Sequence, residues 1–212
     1  MTRAKISRRL WLGIALGLTV HAVATPVGAY GQGANNPSAH IEGLHAALLE
    51  AMKQGRQLGV KGRYTKLAPV LLKTYDIPLM SRIAVGQSWD SLQPGQQSGV
   101  VDAFSRMMVA TYASRFDDFS GERFEVVQTV DQSPTDKFVF TRVVQSNGKP
   151  VALNYLMRRS GSDWKVIDVY LDGTISELAS RRAEFSAILK SGGPDALIGT
   201  LRQQGDKLLA GS

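Results

Sequence analysis

The stretch that decides the fold is Trp164 to Leu189, WKVIDVYLDGTISELASRRAEFSAIL, where a strand runs straight into an amphipathic helix. In the strand, Val166, Ile167, Val169, Tyr170 and Leu171 are apolar at nearly every position, so apolar side chains point to both faces of a sheet. After Asp172-Gly173, Thr174 and Glu177 have the spacing of a capping box, which predicts the helix start there. Ile175, Leu178, Phe185 and Leu189 then share one stripe that only Arg182 interrupts.

Upstream, Phe124–Val130, Lys137–Gln145 and Val151–Arg159 are rich in β-branched and aromatic residues, and with Trp164–Leu171 they predict four strands. The connectors are short and carry turn chemistry, Ser133-Pro134-Thr135-Asp136, Asn147-Gly148-Lys149 and Ser160-Gly161-Ser162-Asp163, so the strands form an antiparallel meander. Before the meander, Ile41, Leu44, Leu48 and Met52 support a helix over 41–58. Residues 64–75 and 79–85 read as two short helices split by Asp76-Ile77-Pro78 and ended by Gly86. From Gln93 to Phe116, Val100, Phe104, Met107, Met108, Thr111, Tyr112 and Phe116 recur at helical spacing. Two helices, 175–189 and 195–209, close the chain around Gly192-Gly193-Pro194. Helices, a meander and helices again predict an α+β domain, with several helices packed on a four-stranded sheet.

The first residues read differently. Arg3, Lys5, Arg8 and Arg9 precede an apolar run, Leu10 to Val20, and small residues at Ala22-Val23-Ala24 or Val27-Gly28-Ala29. This is the pattern of a secretory signal peptide over 1–29, cleaved after Ala24 or Ala29, whose apolar run is too short to span a bilayer. Residues 30–39, including GQGANNPS, read as a linker to a domain covering 40–210. Of the 25 basic residues that set the net charge at +7 against 18 acidic ones, four lie in the signal, which leaves 21 − 18 = +3 for the processed chain. A nucleic-acid partner is not expected at that charge. No cysteine is present, so thiolate metal sites and disulfides are excluded, and the fold rests on its core.

Three segments carry a family resemblance: DVYLDGTISELASRRAEFSAILKSGG from Asp168, YDIPLMSRIAVGQSW over 75–89, and ATYASRFDDFSGERFEVV over 110–127. In that order they resemble the MlaC-type (toluene-tolerance) periplasmic lipid-binding proteins, most of all the hopanoid-biosynthesis-associated HpnM branch. The resemblance implies a cone-like sheet-and-helix fold akin to nuclear transport factors, with an apolar cavity. It implies a periplasmic carrier that shuttles a hopanoid or a phospholipid between inner-membrane and outer-membrane complexes of an ABC-type transport system. Neither cofactor nor catalysis is expected of such a carrier.

The residues themselves offer little catalytic chemistry. His40 and His45, the two histidines beyond the signal, are five apart, do not share a helix face, and are expected to be solvated or capping. No phosphate loop, nucleophile elbow or dinucleotide fingerprint occurs. Asp168 and Tyr170, with Tyr155 on the neighbouring strand, leave one alternative open: a cavity enzyme of isomerase or dehydratase type. Against it, the lipid-binding family that the chain resembles also carries an Asp after a Trp-initiated strand, which implies that Asp168 accepts a structural hydrogen bond from a nearby backbone donor. Long, flexible methionines favour a cavity over a rigid core, because they adapt to ligand shape. The residues expected to line it are Phe104, Met107, Met108 and Tyr112 from the long helix, and Phe140, Leu153, Tyr155 and Val169 from the sheet. That choice depends on strand parity, which a slip of one residue would invert.

Overall fold

A computed structural model of the protein describes residues 36–211. The signal segment 1–29 and most of the linker lie outside the described residues. Helix α1 (Pro37–Lys53) starts three residues before the expected domain boundary. Pro37 suits the first helical turn and the Asn36 side chain accepts from the Ser38 N–H at 3.1 Å, so the end of the predicted linker is already helix.

Helix α2 (Gly55–Thr74) follows after one residue and bends at Gly59, whose φ of 58° is left-handed. The predicted helix over 41–58 therefore breaks at Gln54, and the cause is tertiary. A Cβ on Gly55 would lie 1.9 Å from the Asp117 carbonyl oxygen, so only glycine lets the two backbones meet. Arg63, buried on the same side, donates to the Ala113 and Gly55 carbonyls at 2.7 and 2.6 Å and ties this corner to the next long helix. Burial pulls its guanidinium below its usual range, with Asp117 acting in the opposite sense.

Helix α3 (Ile77–Val85) is capped by Asp76, which accepts from the Leu79 N–H at 3.1 Å, and it ends at left-handed Gly86. A 3-10 turn, Gly86–Ser91, leads to α4 (Pro94–Arg115). The meander comprises β1 (Arg123–Asp131), β2 (Asp136–Val144), β3 (Pro150–Ser160) and β4 (Asp163–Leu171). Helix α5 (Glu177–Leu209) is interrupted at Gly193, as its Gly-Gly-Pro punctuation predicts.

The sheet has five antiparallel strands in the order β1-β2-β3-β4-β5, not four. The extra strand, β5 (Ile175–Ser176), pairs Ile175 with Leu171 and Ser176 with Tyr170. Asp172 and Gly173 both take positive φ, as a type I′ hairpin turn requires, and this folds the chain back on β4 before the helix begins. The N-cap is accordingly Ser176, which accepts from the Ala179 N–H at 2.9 Å, in place of Thr174. Ile175, expected on the helical stripe, is 55% exposed.

Asp168 secures this junction. Its carboxylate accepts from the Val169 N–H (2.7 Å), the Leu178 N–H (3.0 Å) and the Ser176 hydroxyl (2.6 Å). A buried carboxylate at a helix N-terminus is stabilised both by those donors and by the helix dipole.

Candidate functional site: the interior between helices and sheet

Strand register sets which side chains face the helices. Val139 pairs with Tyr155 and Tyr155 with Val169, so these three share one face, together with Leu153 and Met157 from β3. All five are buried, Val139, Tyr155 and Met157 at 0% exposure. They join a continuous core with Ile41, Leu44 and Leu48 of α1 and Leu67 and Leu71 of α2.

Seven of the eight residues expected to line a cavity lie on this interior side, and Phe140 does not. Because Val139 faces the helices, Phe140 must point to the opposite face of β2. There it meets Phe138, with ring centroids 4.8 Å apart, and Phe138 in turn meets Tyr170 at 5.0 Å. On that outer face Phe140 also borders an open depression of about 360 Å³, with Val127, Arg142, Ala152 and Asn154. The α4 residues divide as well. Phe104 packs edge-on against Phe185 of α5, centroids 5.5 Å apart, and the Met107 backbone lies against Gly205, so this half of α4 is committed to α5.

The C-terminal half of α4 reaches a group of polar aromatic side chains drawn from four elements. His45 of α1 and Tyr155 of β3 share a hydrogen bond of 3.1 Å between Nε2 and Oη. Tyr75, just after α2, shares a short one with Tyr112 of α4 through their hydroxyls. Apolar rings fill the space between the pairs: Phe116 stacks on Tyr112 (5.6 Å), Phe124 on His45 (4.4 Å), and Phe116 and Phe124 lie 6.1 Å apart.

Every polar member of this group is uncharged at neutral pH. Burial pulls the His45 imidazole down to about 4; at 4% exposure in the middle of α1 it is neither solvated nor capping, against expectation. Burial pushes the Tyr112 phenol up to about 12 and those of Tyr75 and Tyr155 well above the ordinary range. An apolar interior with neutral hydrogen-bonding groups can hold hydrocarbon together with hydroxyl or carbonyl oxygens, and it rejects a bare charge.

His45 was legible in one respect: it lies at i+4 from Ile41 and i−3 from Leu48, on the buried stripe of α1. Phe116 was legible at the end of the α4 stripe, whereas Tyr75 and Phe124, each at an element boundary, were not read as members of a site. His40 is the surface histidine, with Nε2 3.0 Å from Asp163.

Of the two tyrosines that a cavity enzyme could pair with Asp168, Tyr155 is not brought to it and Tyr170 is. Tyr155 faces the helices, whereas Asp168 pairs with Leu156 on the opposite parity and has both oxygens committed to the α5 junction. Tyr170 shares the Asp168 face, and its phenol is raised by partial burial and by that carboxylate. Among the described residues no group of three His, Asp or Glu side chains could hold a metal ion, and no helix is long and apolar enough to cross a membrane.

Comparison with curated proteins finds no match. Among solved structures, the chain is similar to a phospholipid-binding protein from Ralstonia solanacearum, determined in complex with a phospholipid. The two superimpose with a TM-score of 0.72 at 23% identity, over 82% of this chain and 98% of that one. A family model described as "MlaC protein" matches residues 42–203, from the first turns of α1 to the last turns of α5. On that match the chain belongs to the MlaC family.

Proposed function

We propose that the protein is a carrier that holds a phospholipid in the interior between helices and sheet, and that it moves this lipid between membranes instead of transforming it. The observation that carries this reading is the interior itself: an apolar core rich in methionine, with Met52, Met80, Met107, Met108 and Met157 all buried, and with the neutral polar groups of His45, Tyr75, Tyr112 and Tyr155 among them. Family membership and the likeness to a protein solved with a phospholipid support it. Burying acyl chains at about 25 cal/mol per Å² yields on the order of ten kcal/mol gross, a large part of which ordering and association offset.

The finer reading is that the first 29 residues export the chain to the periplasm. There it serves an ABC-type system by docking in turn with inner-membrane and outer-membrane complexes. A hopanoid is the second candidate cargo, and it rests on the resemblance to the HpnM branch. In this reading the interior widens on loading toward a cone-like cavity of the nuclear-transport-factor kind. Helix α3 with the end of α2 is the lid. Its backbone meets the sheet at a parallel bridge between Tyr75 and Val166, where the Asp76 N–H donates to the Val166 carbonyl at 2.9 Å.

The test is native mass spectrometry with organic extraction, applied to the processed protein purified from its own cell envelope. A co-purifying phospholipid near one-to-one stoichiometry is expected, and a polycyclic lipid would assign the HpnM-type cargo. A protein that is empty and fails to take up added lipid overturns the carrier. A covalent crosslink between the α2–α3 junction and β4, where Lys165 reaches the Lys73 carbonyl, should block lipid exchange. Unchanged exchange would move the lid elsewhere.

A further inference from the structure

The stretch from Ala51 to Tyr75 contains six cations, Lys53, Arg56, Lys61, Arg63, Lys66 and Lys73, and no acidic residue. Arg63 turns inward to its two carbonyls. The other five stand at the surface, and among the described residues only Lys66 has a carboxylate beside it, Glu50 at 3.7 Å. Lys53 lies over the Phe119 ring at 5.5 Å. Among the described residues, Arg56, Lys61 and Lys73 make no ion pair.

Helical phase collects these groups on one side. Helix α2 buries Arg63, Leu67, Leu71 and Thr74. Lys61, Thr65, Pro69 and Leu72 follow one another at i, i+4, i+8 and i+11 on the opposite side, and Lys66 and Lys73, seven residues apart, border that row along one edge. Toward the C-terminal end of this basic face, beside Lys73, Leu72 is 47% exposed, an isobutyl group with no cover.

We infer that the outer face of α2 docks on an anionic lipid bilayer surface, with Leu72 entering the headgroup–acyl boundary and the lysines ranged among the anionic headgroups. Charge complementarity favours this occupant over a protein. Lys61 to Lys73 spans about 18 Å of helix. Across it the charge is spread as flexible ammonium groups, without an arginine fork or a pocket to match one carboxylate. Ammonium groups on long stems suit a diffuse anionic plane, and their methylene stems can lie along acyl chains beside Leu72. A docked acidic protein would instead be read through discrete, geometrically matched pairs. The inference does not depend on the interior holding a lipid, and its test needs no cargo.

The experiment is vesicle co-sedimentation of the protein in its processed form, purified from cells that express the full chain. The vesicles are phosphatidylcholine alone or equal parts phosphatidylcholine and phosphatidylglycerol. Binding is expected only with phosphatidylglycerol, and it should vanish at ~1 M salt, where the Debye length falls to about 3 Å. Since each surface cation near an anionic leaflet contributes about fivefold, the double variant K61E/K73E should bind at least tenfold more weakly. L72S should lose severalfold, while K190E, a charge reversal on α5, should stay within about twofold. Circular dichroism confirms that each variant is folded. Absence of binding to phosphatidylglycerol vesicles, or equal binding by wild type and K61E/K73E, overturns the inference. So does loss of equal size in K190E, which would reduce the effect to net charge.

Discussion

Acidification should destabilise this protein through one side chain before most of its carboxylates titrate. His45 is 4% exposed, bonded to Tyr155 and stacked on Phe124, and no carboxylate hydrogen-bonds it among the described residues. Its pKa falls from 6.5 to about 4, and the cause is burial. The folded protein keeps the imidazole neutral, whereas the unfolded chain takes up a proton below about pH 6.5. The contribution is therefore fully present above that pH and is lost as pH falls toward 4, because there the unfolded state binds the extra proton. At 1.36 kcal/mol per unit, a shift of this size corresponds to about 3 kcal/mol, a large share of the 5–15 kcal/mol that holds a typical domain folded. The assay is urea unfolding followed by tryptophan fluorescence at pH values from 7 to 4, in wild type and in His45→Gln. Carboxylates held low by partners, Glu125 and Asp136 with arginines and Asp163 chiefly with the Trp164 N–H, titrate in both proteins and cancel in the difference. Wild type should lose about 3 kcal/mol more than the variant across that interval. Parallel pH profiles for the two proteins would refute the reasoning.

Asp168→Asn leaves one oxygen to do what two now do for three donors, and it removes the charge at the start of α5; a loss of about 2–3 kcal/mol in urea unfolding is expected, with faster amide exchange at Leu178. Gly55→Ala forces its new methyl into the Asp117 carbonyl and should cost several kcal/mol, whereas Gly43→Ala, in open space on helix α1, should raise stability by about 1 kcal/mol; thermal melts of the pair separate packing from propensity. Arg63→Met leaves the Ala113 and Gly55 carbonyls without their shared donor and should destabilise by about 2–4 kcal/mol, a loss that denaturant titration reads directly.

The four long strands, the long α4 and the break at Gly193 were legible because each has a periodic local pattern bounded by punctuating residues. The fifth strand was not, because Thr174 and Glu177 offered a plausible cap. Only the pairing of Ile175-Ser176 with Tyr170-Leu171 moved the helix start to Ser176. The bend of the N-terminal helices at Gln54 was hidden for a similar reason, since it answers to a backbone contact with Asp117, some sixty residues away.

By itself the sequence determined the α+β class, the antiparallel meander and the resemblance to the MlaC family that the family match bears out. All of these follow from residue type, spacing and motif, which are local properties of the chain. Tertiary structure alone decided which face of each strand looks inward, and so sent Phe140 outward and set Asp168 apart from Tyr155. It also brought His45, Tyr75, Tyr112 and Tyr155 together from four elements. A period of two alternates side chains perfectly well in either register, and nothing but the partner strand and the helices packed against it can say which set is buried.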